Sequence, residues 1–375
     1  MAVKLTRAQV NAWRLARHHL TDRAARGKMA AVVSDVCGIQ AQVLSAAELA
    51  VRARVEGAHQ QDVRDALWKD HTLLKTWCMR GSVHVIARSD LSLYVAALKT
   101  KLAESTRWLQ KDGRATQQEI EAITNEIGKA LAIRELTREQ LSVTVEGAAN
   151  LSPRTRRYLR SAWGVLLRPA AYQGMLAFGK SIGPRVTFVR PDLRGLRPVE
   201  WSTSDALLEL FHRFLRSYGP ATIGDFTHWW GSLGDGDRST LRSSQNGLEE
   251  VELDGRSELM LKQDAEAASG LAPAHVVRLL PSFDCYVMLY SPRELFVSDA
   301  DRAKIFRPAG WNYPVIMVDG AAAGTWGLRK RGKKVDVELE PFRPLSTREK
   351  KGVEEEVEDI GEFLGASGAL GSKPL

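Results

Sequence analysis

Cysteine is scarce in this chain: three in 375 residues, at positions 37, 78 and 285. None sits in a C-x-x-C pair, which argues against a zinc knuckle or an iron–sulfur cluster and fits a reducing compartment. Clusters of Asp, Glu and His at metal-ligand spacing are missing too. No metal and no cofactor is therefore expected, and a metal-dependent nuclease is disfavoured. No apolar run reaches membrane-spanning length. The opening residues 1–5 lack a signal-type apolar stretch, so a cytoplasmic protein without a membrane partner is expected. Acidic residues are in the minority, 45 against 53 basic, for a net charge of +8. That modest surplus favours a polyanionic partner. The length suffices for two to four compact units.

Against these absences stands Gly38-Ile39-Gln40-Ala41-Gln42, between two apolar segments. Residues i and i+2 do not share a helix face but do share one in extended backbone. Two glutamines so spaced converge only on a strand, in a loop or at a helix end. Each offers a carbonyl acceptor and two N–H donors without ever carrying charge. Such a pair can hold one water and leave its oxygen aimed outward. On spacing alone the simplest reading is two polar residues on a solvated helix start. Further along, Lys75-Thr76-Trp77-Cys78-Met79-Arg80-Gly81-Ser82-Val83-His84-Val85-Ile86 alternates like a strand. That predicts Arg80, Ser82 and His84 on one face, suited to a phosphate or a ribose.

Together, Gly-Ile-Gln-Ala-Gln and Met-Arg-Gly-Ser-Val-His resemble the AlkZ/YcaQ family of bacterial winged-helix DNA glycosylases. Leu279-Leu280-Pro281-Ser282-Phe283-Asp284 and Val318-Asp319-Gly320-Ala321-Ala322-Ala323-Gly324-Thr325-Trp326 extend the likeness in the family's order. It runs from about residue 6 to about residue 345. The family's catalytic motif is Gln-x-Gln or Gln-x-Asp, and this chain has the Gln-x-Gln form. Ser82 replaces the Thr of the family's Met-Arg-Gly-Thr-x-His pattern and keeps its hydroxyl. The resemblance implies a mainly α fold with β: three tandem winged-helix units followed by a C-terminal β-barrel. The expected boundaries are 1–95, 96–200 and 201–270 for the winged helices, 271–345 for the barrel, and 346–375 for a terminal helix and tail.

Local signals fit that order. Thr6 with Gln9 makes a capping-box start for a helix over 6–20, and a second helix is predicted over 29–37. Residues 60–70 read as a helix, 72–87 as extended pairs and 89–150 as helical. Ser152 as N-cap and Pro153 at the first position start a helix expected to run to 167. A hairpin over 175–190 follows. Residues 204–262 repeat the pattern and end on an Asp254-Gly255 turn. Short β-like runs at 276–280, 286–289, 314–318, 324–328 and 335–339 suggest the barrel. Ser346 starts a last helix, and 365 onward, rich in Gly and Ser, is expected to be disordered.

Cations cluster twice. Arg154, Arg157 and Arg160 step along one helix, with Arg156 and Arg168 widening the patch and Arg185, Arg190, Arg194 and Arg197 following. Arg329, Lys330, Arg331, Lys333 and Lys334 crowd a predicted hairpin turn shaped to straddle a groove. Both patches would neutralise phosphates without reading sequence. The Trp229-Trp230 pair invites a base-stacking role, although one in the core and one at an interface is the simpler expectation. By analogy with the family, Gln40 and Gln42 would orient water in a monofunctional glycosylase for N-alkylated purines of the N7-alkylguanine or N3-alkyladenine type, bulky or crosslinked lesions included. A purine alkylated at N7 or N3 is cationic and already a good leaving group, so little general acid is needed. The expected partner is double-stranded DNA carrying alkylated purines, bound by a monomer associated with the nucleoid. The alternative is a non-enzymatic winged-helix DNA-binding regulator.

Overall fold

The computed structural model describes residues 3–111, 113–161, 164–191, 199–289 and 292–371. The chain divides into two interleaved compact units. One holds residues 1–66, 211–226 and 241–375; the other holds 67–210 and 227–240. We call them the first and second units.

In the first unit, helix Arg7–Arg17 starts at the predicted capping box, with the Thr6 N–H donating to Gln9 Oε1 at 2.9 Å. It buries Val10, Trp13 and Leu15. Strand Val3–Leu5 runs parallel to Leu248–Leu253, which hairpins onto Arg256–Leu261. Asp254 and Gly255 close that turn with φ of 50° and 78°, the left-handed pair that an Asp-Gly turn needs. Val10, Trp13, Val251, Leu253 and Met260 share one core.

Farther along, Val277–Leu280, Val315–Val318, Ala321–Arg331 and Lys334–Pro341 form an antiparallel meander, with a bulge at Ile316/Met317. Ser367–Leu370 joins its edge parallel to Lys334–Pro341. The sheet is open, with Val277–Leu280 and Ser367–Leu370 at its two ends, so the expected barrel is only partly formed. Helix Thr347–Phe363 packs Val353, Val357 and Ile360 against Leu279, Trp326 and Val337.

Two local expectations fail in this unit. Residues Cys285–Leu289 are helical, not β. A five-residue apolar run fits either period, and the buried Asp284 decides it: its Oδ1 accepts the Tyr286 N–H at 2.9 Å, and its carbonyl accepts the Met288 N–H at 2.9 Å. The segment after Gly365 is a strand. Gly361 and Gly368 are there for close approach, since a Cβ on Gly368 would lie 2.1 Å from the Val357 carbonyl oxygen.

The second unit is built on helices Leu91–Lys111, Gln117–Ile133 and Arg138–Ala148, as the 89–150 pattern predicts. Strand Leu136–Thr137 pairs with Thr187–Val189, which also pairs with Ala177–Phe178. Trp77, Phe178 and Phe188 pack their rings in the core, with Trp77 and Phe178 centroids 4.6 Å apart. The helix opened by Ser152 stops at Leu159, short of 167. Gly164 takes φ 61° against the Trp77 ring, where a Cβ would lie 3.0 Å from Cζ2, and a separate helix, Arg168–Tyr172, follows. The 75–86 run is also broken. It is a hairpin, Leu73–Trp77 with Val83–Ala87, and both Arg80 and Gly81 in its turn have positive φ.

Candidate functional site: a glutamine loop and a basic cavity

The glutamine motif grows out of a helix end in the first unit. Helix Met29–Asp35 closes with Cys37 and Gly38 at φ 57° and 90°. Their N–H groups return to Ser34 and Val33 carbonyls at 2.9 Å each. The Tyr218 hydroxyl donates to the Val36 carbonyl at 2.8 Å, and Ser217 Oγ donates to that of Asp35. The chain then extends through strand Ile39–Gln40. Ala41 is fully buried, while Gln40 is half-buried and Gln42 exposed. The strand ends at Gln40 and the chain bends at Gln42, so the motif spans the junction between strand Ile39–Gln40 and the helix that follows.

Helix Leu44–Arg52 begins two residues later, an element the sequence reading did not mark out. Buried ion pairs lock its end. Arg54 grips Asp284 through two bonds of 2.7 and 2.8 Å, and Arg52 donates to Glu356 at 2.8 Å. The Leu-Leu-Pro-Ser-Phe-Asp motif thereby supplies Asp284 as a brace. The Gly-Thr-Trp motif supplies Trp326, whose indole N–H donates to the Leu280 carbonyl at 2.8 Å.

The exposed hairpin tip lies in the same unit. Gly332, at φ 60°, and Lys333 link Arg331 to Lys334, so Arg329 and Lys330 are strand residues and the turn is tighter than expected. Arg329 lies 3.5 Å from Glu338, and Lys330 donates to the Leu364 carbonyl at 2.8 Å.

In the second unit, Arg80, Ser82 and His84 come together at the hairpin turn. Arg80 Nη1 donates to the Trp229 carbonyl at 2.6 Å, and Nη2 lies 3.3 Å from His84 Nε2. His84 Nδ1 lies 3.1 Å from the Ser82 carbonyl oxygen. The pattern requires Nδ1 to carry the proton and Nε2 to accept. Burial and the adjacent Arg80 push the His84 pKa down to about 3. The Ser82 hydroxyl donates to the Met79 carbonyl at 3.1 Å. Trp229 and Trp230 are both buried, so neither offers a face for stacking.

On helix Pro153–Leu159, Arg154, Arg156 and Arg157 are exposed while Thr155 and Leu159 are buried. Arg160 caps the helix and pairs with Glu146 at 2.7 Å. Arg168 does not extend this row. It lines a cavity with Arg80, Lys101, Trp108 and Tyr172, a grouping that sequence spacing could not show. Arg190 donates to the Gly128 carbonyl at 2.9 Å, and Arg194 and Arg197 lie outside the described residues.

Among the described residues, no three His, Cys, Asp or Glu side chains cluster as a metal site, and no helix is long and apolar enough to cross a membrane. All three cysteines are buried thiols.

The family model described as "DNA glycosylase AlkZ-like" matches residues 33–363. A relative named "Interstrand DNA cross-link repair glycosylase", from Streptomyces sahachiroi, is 31% identical over 380 residues, covering 97% of this chain and 98% of the relative. The solved structure of Streptomyces sahachiroi DNA glycosylase AlkZ superposes with a TM-score of 0.86 at 28% identity, covering 98% of this chain and 99% of that one. Both relatives are named as glycosylases, and the regulator and nuclease readings are set aside. Matched over most of its length, this chain belongs to the AlkZ-like DNA glycosylases.

Proposed function

We propose that this enzyme hydrolyses the N-glycosidic bond of N-alkylated purines, of the N7-alkylguanine or N3-alkyladenine type, with a water held by Gln40 and Gln42. The observation that carries the reading is the placement of Gln40 and Gln42 where a strand ends at a braced junction, with the buried Ala41 between a half-buried and an exposed glutamine. A cationic alkylpurine needs little acid to leave. What it needs is an aligned water and acceptor dipoles facing the developing oxocarbenium, and two neutral amides provide both. The inclusion of crosslinked lesions is supported by the name of the Streptomyces relative, an interstrand DNA cross-link repair glycosylase.

Duplex DNA would be held without sequence preference by Arg80 and Ser82, by Arg154, Arg157 and Arg160, and by Arg329, Lys330, Arg331, Lys333 and Lys334. His84 acts through Arg80, which it orients. Three tandem winged-helix units over 1–95, 96–200 and 201–270 would carry these groups, in a protein acting as a monomer. The Asp254-Gly255 hairpin, following helices Thr203–Tyr218, Ile223–Trp230 and Asp235–Ser243, is the observation favouring that architecture.

The test is incubation with duplexes bearing N7-methylguanine or an interstrand crosslink, in EDTA, followed by alkaline strand scission. Metal-independent scission at the lesion is expected. Absence of scission on every lesion, or scission that requires a divalent ion, refutes the mechanism.

A further inference from the structure

The second unit contains a cavity of about 350 Å³. Helix Leu91–Lys111 contributes Lys101 and Trp108, the helix at Arg168–Tyr172 contributes both its end residues, and Ser232 closes one side. This volume is at the small end for ligand sites and has room for one nucleotide-sized group.

Its cations are held differently. Lys101 Nζ lies 3.4 Å from Glu104 and 2.6 Å from the Ser232 hydroxyl. Arg80 donates to the Trp229 carbonyl. Arg168 is half-buried and has no hydrogen-bond or ion-pair partner among the described residues, and its Nε is fully buried without an acceptor. Burial lowers its pKa, the Tyr172 hydroxyl partly opposes that shift, and the Arg114 charge adds to it. An arginine still keeps its proton, so the cavity holds a partly desolvated cation that no carboxylate pairs with among the described residues.

Gly81, at φ 66°, leaves the guanidinium uncovered. A Cβ there would sit 3.1 Å from Arg168 Nη1 and 3.5 Å from the Tyr172 hydroxyl. Beside it, Trp108 is 41% exposed, with the Arg114 guanidinium 3.8 Å from its ring centroid. A guanidinium without an ion-pair partner among the described residues and a partly exposed indole in one cavity match a phosphate linked to a flat base.

We propose that this cavity seats one phosphodiester of a DNA strand on the Arg168 guanidinium, with the adjoining nucleoside against Trp108. The inference shares with the proposed function only the assumption that DNA is the ligand. It does not depend on how water is activated.

The test compares the parent with Arg168→Gln and Arg168→Lys, by anisotropy titration of a lesion-free duplex across a salt series, with a melting curve for each protein. Arg168→Gln is expected to bind about tenfold more weakly and to lower the slope of log affinity against log salt by about one unit. It should melt at the parental temperature or above, because an unpaired charge is gone. Arg168→Lys is expected to keep the slope and show intermediate affinity, since it keeps the charge without the fork. An unchanged slope in Arg168→Gln overturns the assignment. So does a lowered melting temperature with equal affinity loss in both variants, which would make Arg168 a structural residue.

Inorganic phosphate and deoxyguanosine monophosphate are titrated separately against parent and Arg168→Gln. A melting shift that Arg168→Gln abolishes, with an unchanged DNA slope, would assign the site to a free anion and also overturn the proposal. Excision of N7-methylguanine is read in parallel, so failure of the glutamine chemistry stays distinguishable from failure here.

Discussion

The glutamine loop and the basic hairpin belong to one unit and hold their side chains in opposite ways. The loop is braced on both sides. The Tyr218 hydroxyl fixes the chain entering it at 2.8 Å, and the buried Arg54–Asp284 pair fixes the helix leaving it. The groups proposed to work there are two neutral amides on either side of the buried Ala41. The hairpin tip is the reverse: Arg331, Lys333 and Lys334 are charged and exposed, on a turn that buries nothing. The difference teaches what each task demands. Aligning a water needs positions held to fractions of an ångström, which is the work of packing and buried polar bonds. Gripping a phosphate backbone needs charge only at roughly the right place, and an exposed tip would suffice for that.

The largest effect expected from breaking this contrast is at the loop. Gln40→Ala and Gln42→Ala should each slow excision of N7-methylguanine by on the order of 10²-fold, as for loss of one preorganised donor. Affinity for plain duplex should stay within about twofold. Single-turnover excision with parallel binding titrations checks this, and parental rates in both variants would remove the glutamines from the chemistry.

What the sequence made legible follows the range of the forces involved. Caps act over three residues, so the starts at Thr6 and Ser346 were readable, and each forms a full capping box. The Asp254-Gly255 turn is equally local. The failures involve distant partners. The short helix after Asp284 depends on that carboxylate, which is itself fixed by Arg54, 230 residues away. The Gly-rich tail looked mobile because a glycine's value in close packing is invisible without the opposing backbone. Of the site, the two glutamines were visible as an i, i+2 pair. The Arg168 cavity was not, because its walls come from four separated segments.

The tail gives the second prediction. Gly368→Ala forces a methyl into the Val357 carbonyl and should loosen the strand that flanks the hairpin base. A stability loss of about 2 kcal/mol is expected, as for overpacking. Excision per folded molecule should be unchanged. Chemical denaturation measures the first and active-site titration the second. A parental midpoint would mean that the tail does not dock in solution.

A smaller effect is expected at the hairpin. Neutralising Arg331, Lys333 and Lys334 together should weaken lesion and plain DNA alike by roughly tenfold and lower the salt slope by about one unit per lost phosphate contact. Arg329 and Lys330, already engaged with Glu338 and Leu364, should contribute less. Salt-series titrations separate the two groups. If the tip variant keeps both affinity and slope, the grip belongs to the Arg154–Arg160 row.

The smallest effect tests whether neutrality is built in at His84 as it is at the glutamines. Its pKa is depressed to about 3, because the ring is buried and its Nε2 faces Arg80. The folded state therefore stays neutral where the unfolded chain takes up a proton, below about pH 6.5. Stability tied to this group is present above pH 6.5 and is lost as pH falls from there toward 3. His18 is shifted in the same direction by burial and the nearby Arg54, so a partial acid lability should remain without His84. Replacing His84 by Gln, which never titrates, should reduce the stability lost between pH 7.5 and pH 6 by about 0.8 kcal/mol. Its stability at pH 7.5 sets the reference, so any packing cost of the substitution cancels in the difference. Denaturation midpoints at both pH values, for parent and variant, give the answer. Equal acid losses in the two proteins would mean that His84 is accessible and protonated near its ordinary pKa, and its assignment as a neutral acceptor for Arg80 would fall.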